Sequence, residues 1–283
     1  MLVLFISSFF NKNKSISQNK EPWYEYIIIL ILAPLVVLSL FCSIYTDIRD
    51  NRKYNKQKEI LREKERLENE RKEALKNAYL MAKQSQPKQD EKTYIDIAYK
   101  LEKIVHERKY QEILVCLNKI QETGDRKLNV QECEEKGIGD ESKLYIELND
   151  GKRDYEIFKH LIVEDSPMGA WQAYWLYSLW HILPMFWHGL YGRRDYLFQF
   201  EDVFGIKLEK DANPADRDKL LDIDLSPEVI GENGDYYVSC CYWTQFGGLI
   251  REHVYVNIKG NKVVEIKEFL SETKYEYDCG YCY

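Results

Sequence analysis

The side chains best suited to chemistry in this 283-residue sequence are its seven cysteines and five histidines. Cys279-Gly-Tyr-Cys282 has CxxC spacing, which in a redox site needs a thiol pKa lowered by a helix N-terminus directly behind it. Only Tyr283 follows in this sequence, so no helix dipole is expected to activate the pair. Combined with Cys240-Cys241, it would supply four thiolates, the ligand set of a structural zinc. Adjacent residues on a strand face opposite ways, so Cys240 and Cys241 reach one metal only across a bulge. The expectation is therefore no cofactor, with zinc at Cys279 and Cys282 as the alternative. A disulfide there would matter only outside a reducing compartment. Cys240 and Cys241 read first as small buried hydrophobes.

A membrane-tethered cysteine hydrolase would instead pair Cys240 or Cys241 with His253. His181 and His188 are seven apart, but Pro184 between them breaks a shared helix face. The sequence has no phosphate loop, dinucleotide fingerprint, HExxH or GxSxG. Catalysis is not the expectation, and no catalytic residue is assigned.

Composition narrows the class further. Apolar residues make up 45% and charged residues 31%, which excludes a wholly disordered chain. Net charge is −7, unevenly divided. Residues 46–85 carry twelve basic and eight acidic side chains, whereas 86–283 carry 25 basic and 37 acidic. An acidic body argues against nucleic-acid binding, whose affinity comes from neutralising phosphates.

These residues need elements to position them. Tyr26 to Tyr45 reads YIIILILAPLVVLSLFCSIY, twenty residues without a charge. At ~1.5 Å per residue these span about 30 Å, the thickness of the hydrocarbon core. Trp23, Tyr24 and Tyr26 crowd one end and Tyr45 marks the other, as interfacial aromatic belts do. The run is too long, and its flanks unsuited, for a cleaved signal peptide. The expectation is a single-pass membrane protein with an N-terminal tail (1–25) and a transmembrane helix (26–45). Seven Lys or Arg follow the span within twenty residues, Arg49, Arg52 and Lys53 nearest it, and three precede it. That bias puts the C-terminal body in the cytoplasm. The inverted topology, with an envelope-facing disulfide-stapled body, is the alternative.

Residues 46–85 lack Gly and Pro and are rich in helix formers, predicting a charged helical stalk. Ile60, Leu67, Ala74 and Met81 recur every seven residues, a partial coiled-coil pattern whose second seam is charged at Lys64 and Arg71. Ile97, Ala98, Leu101, Ile104 and Val105, then Ile113, Leu114, Leu117 and Ile120, predict a helical hairpin over 93–123. Residues 124–142 read as a polar linker.

An α+β domain is predicted over 143–283. It opens with a hairpin around Asn149-Asp150-Gly151. Ser166-Pro167 starts a helix, opening a 27-residue stretch to Gly192 without Asp, Glu, Lys or Arg. That stretch reads as a core helix, with an interfacial helix or a second span as alternatives. An antiparallel β-meander follows, in which Ile250, Glu252, Val254, Val256 and Ile258 share one face. Architecture without catalytic motifs implies an interaction domain that the membrane anchor presents to a protein partner. The bilayer and that protein are the partners implied, and the sequence does not indicate an oligomeric state.

Overall fold

The computed structural model describes residues 23–85, 91–124, 127–134, 140–182, 194–206 and 214–277. It divides into two units, Met1–Glu68 and Asn69–Tyr283. The chain is α+β, with one long helix and antiparallel sheets.

Helix α1, Trp23–Ser85, runs for 63 residues. The absence of Gly, and a single Pro at position 34, make that length possible. Among the described residues no helix is long and apolar enough to cross a membrane. The predicted span 26–45 falls inside α1, and the side chains of residues 26–34 lie outside the described set.

The C-terminal turns of the predicted charged stalk dock on the sheet. Tyr79 is 5% exposed and packs with Leu75, Ala78 and Ala82 on Ile230, Tyr237 and Phe269. This i, i+4, i+7 stripe differs from the heptad positions, of which Ile60, Leu67 and Met81 are exposed.

The predicted helical hairpin is also corrected. Helix α2, Glu91–His106, buries Tyr94, Ala98, Leu101, Ile104 and Val105. The second helix shrinks to a 3-10 turn, Tyr110–Glu112, and a single turn, α3, Ile113–Cys116. Ile120 then starts strand β1, Ile120–Glu122, which pairs with β5, Leu161–Val163. Of the predicted stripe Ile113, Leu117 and Ile120 are buried and Leu114 is half-buried, but the spacing serves one turn and a strand rather than a helix.

The expected linker is a sheet. β2, Lys127–Glu134, and β3, Asp140–Glu147, pair antiparallel over eight residues, and β4, Arg153–Asp154, adds a short third strand. Leu128, Leu144 and Ile146 point inward. Helical and strand segments from Tyr94 to Val163 share one core with the C-terminal sheet. The predicted domain start at 143 therefore falls inside a continuous core.

Helix α4, Pro167–Ile182, begins as predicted, with the Gly169 N–H donating to Ser166 Oγ at 3.1 Å. Trp171, Tyr174, Trp175 and Leu176 are all buried, so the described part of the uncharged stretch is a core helix. Trp187 and His188 lie outside the described residues.

The principal sheet is five-stranded. β8, Asp235–Thr244, β9, Gly248–Lys259, and β10, Lys262–Tyr275, form the predicted meander. On its other edge β8 pairs with β6, Asp195–Leu197, and β7, Glu228–Glu232. Helix α4 covers one face. The opposite face is covered by the α1 tail at one end. At the other end it packs on Val203 of α5, Phe200–Gly205, and Leu220 of α6, Pro214–Leu221. Double coverage explains why DYYVSCCYW lacks polar alternation.

Candidate functional site

On the α4 face the register sets Cys240 opposite Glu252. The Tyr174 hydroxyl reaches in from α4, donating to Glu252 Oε1 and lying 2.8 Å from Cys240 Sγ. Arg194, just before β6, donates from Nη1 to Glu252 Oε2 at 3.0 Å and stacks 4.4 Å above the Tyr242 ring. Glu252 is 2% exposed. Burial pushes its carboxyl up, while Arg194 and the Tyr174 hydrogen bond oppose that push. Burial also raises the Cys240 thiol well above its ordinary range. A protonated thiol with no exposed surface is a hydrogen-bonding core residue, and a poor nucleophile.

On the opposite face of β9, Arg251 donates to the Asp224 and Ser226 carbonyls and to Ser239 Oγ. Cys241 faces the same side, and burial raises its thiol too. His253 stands opposite Ser239, wedged 5.0 Å from the Tyr79 ring of α1. Neither ring nitrogen has a hydrogen-bond partner among the described residues, and Glu272 is 3.9 Å from Nε2. Burial lowers its pKa to about 4.

The candidate residues are therefore not assembled for nucleophilic catalysis. Cys240 lies across the sheet from His253. Cys241 shares a face with His253 but sits opposite Arg251, two residues out of register. Among the described residues no group of three metal-ligating side chains converges, and Cys42, Cys116, Cys240 and Cys241 are free. Cys279 and Cys282 lie outside the described residues, as do the side chains of Trp23, Tyr24, Tyr26 and Arg52. Tyr45, Arg49 and Lys53 are exposed at i, i+4 and i+8 along one face of α1.

The outer surface holds a site that sequence reading missed. Tyr99 on α2 donates to the Asp202 carboxylate of α5, with oxygens at 2.6 and 2.7 Å. Asp202 also accepts the backbone N–H groups of Phe198 and Gln199, which fixes the start of α5. Burial, then the adjacent carboxylate, raises the Tyr99 pKa. Cavities of about 650 and 430 Å³ flank this contact, both lined by Tyr99. Among the described residues seven carboxylates and one ammonium group, Lys92, line the two. Beside them Phe200 and Phe204 stack edge-on at 5.1 Å, 48% and 54% exposed. FEDVF, two aromatics on one helical face with carboxylates between them, is the sequence signal for this patch. No family model, curated protein or solved structure matches the chain.

Proposed function

We propose that this chain is a single-pass membrane protein whose cytoplasmic α+β body presents the Tyr99 surface to a basic protein partner. The exposed Phe200–Phe204 pair carries the reading. Two neighbouring aromatics left half in water beside preformed cavities have the character of interface anchors. The surrounding carboxylates favour a partner bearing Lys or Arg, and would steer its approach. The uncharged run 26–45 and the basic residues after it support the anchor and its orientation. The separation of Cys240 from His253 across the sheet, and the two-residue offset of the buried Cys241 from His253, speak against the hydrolase alternative.

The test places a photo-crosslinking phenylalanine analogue at position 200 of the full chain in intact cells. Position 115 is the control, because Val115 is 82% exposed. A discrete protein adduct is expected at 200 only, lost when Asp96 and Glu201 are changed to Lys. Equal labelling at both positions, or none, would sink the proposal.

A further inference from the structure

A third cavity, of about 570 Å³, lies away from the Tyr99 surface. It is bounded by the 3-10 turn Ile157–His160, by α4 and by the first residues of β10. Tyr155, Phe158, Tyr177 and Val264 supply apolar walls from three different elements. Tyr155 and Val264 remain 38% and 61% exposed at its edge. The volume falls within the range of small-molecule sites, and its walls are predominantly apolar, as such sites are.

The charges at its rim are unbalanced. Lys159 is neutralised by Glu156. Lys262, which lines the cavity, is the direct cross-strand partner of Lys259 across Gly260-Asn261. Those two turn residues have φ of +58° and +60°, the geometry of a tight I′ hairpin. Like charges directly opposite one another destabilise a hairpin, and among the described residues neither lysine has an ion-pair partner. The turn cannot easily swing away, because Asn261 O accepts the Val163 N–H at 2.8 Å. The Lys262 ammonium group thus stands at the mouth of an apolar cleft, with the equally uncompensated Lys259 beside it across the turn, in a body that is otherwise acidic.

We propose that this cavity binds a small amphipathic carboxylate, its apolar part against Tyr155, Phe158 and Val264 and its carboxylate on Lys262. The anion supplies the countercharge that the Lys259–Lys262 pair lacks, and the apolar part covers the exposed wall. The inference is independent of the membrane reading and of the protein partner, since it rests only on residues 155–264.

The full chain, held in phosphatidylcholine nanodiscs, is photolabelled with 4-benzoylbenzoate and, separately, with neutral 4-methylbenzophenone. Adducts are mapped by mass spectrometry. The account expects the carboxylate to label peptides containing residues 155–159 or 262–264 about tenfold more than the neutral probe. Excess 4-phenylbutyrate should compete, and Lys262→Glu should cut labelling at least fivefold. The milder Lys262→Gln, which avoids a new charge at the turn, should cut it less. Equal labelling by the neutral probe, indifference to both Lys262 variants, or no adduct at these peptides would overturn the proposal. Labelling abolished by adding phosphatidylglycerol to the discs would assign the patch to a lipid surface, and would overturn it too.

Discussion

Two buried residues on opposite faces of the β8–β9 pair, Glu252 and His253, are held in opposite ways. On the α4 face Glu252 is surrounded by partners: a tyrosine hydroxyl, an arginine and, through Tyr174, a thiol. On the α1 face His253 is buried, and among the described residues neither of its nitrogens is hydrogen-bonded. The first arrangement ties α4 and β6 to the sheet, because removing any member leaves a charge or hydroxyl stranded. The second joins the long helix to the sheet by side-chain packing around His253, with the Tyr79 hydroxyl donating to Glu228 Oε2 at 2.8 Å and ion pairs Arg71–Glu265 and Lys83–Glu228 at the margins. A seam whose polar contacts all lie at its half-exposed margin opens more readily than a network buried throughout.

Substitutions can break this contrast. Glu252→Ala strands Arg194 and the Tyr174 hydroxyl, and should cost about 3–5 kcal/mol in denaturant unfolding. A loss below about 1 kcal/mol would mean the network does not tie the faces together. Tyr79→Ala removes the aromatic that fills the other seam, and about 3 kcal/mol is expected. Its signature is regional: hydrogen exchange should rise across residues 75–85 while α4 stays protected.

The pH response sharpens the contrast further. With a folded pKa of about 4 against ~6.5 unfolded, His253 takes up its proton more readily in the unfolded chain. Its contribution is therefore intact above about pH 6.5 and is lost as pH falls towards 4. His253→Phe should remove on the order of 2 kcal/mol of that acid loss, read as the difference between variant and parent stabilities at pH 7 and pH 4.5. Glu252 has the opposite sign, because its raised carboxyl favours the protonated folded state as pH falls. Identical pH profiles for parent and His253→Phe would remove His253 from the account. The marginal ion pairs come last. Their basic partners are half exposed, so Arg71→Ala and Lys83→Ala should each cost only about 0.5 kcal/mol and lose even that in high salt.

Much of the sheet was legible in the sequence. Alternation from Ile250 to Ile258 assigned both faces of β9, and Ser166-Pro167 marked the start of α4. Those signals are local, carried by neighbours in the chain. The β2–β3 pair escaped because, among the described side chains, Leu128, Val130, Leu144 and Ile146 turn to the core between polar neighbours Lys127, Asn129, Lys143 and Glu147, too short a pattern to stand out. The docking of the α1 tail escaped because a seven-residue repeat drew attention to Ile60, Leu67 and Met81, while the sheet selects Leu75, Ala78, Tyr79 and Ala82. The candidate sites were least legible. Tyr174 meets Glu252 across 78 residues and Tyr99 meets Asp202 across 103, and no local pattern encodes such pairings. Cys240 and His253 were found by chemistry, but their opposite faces follow from a register that only the folded sheet supplies.

The central claim, a membrane-anchored body, is tested most directly by alkaline carbonate extraction of the full chain from cell membranes. The parent should remain in the pellet, and a variant with Ile29→Lys, Leu32→Arg and Val37→Lys should move to the supernatant. A parent chain released into the supernatant, or a variant retained with it, would contradict the anchor.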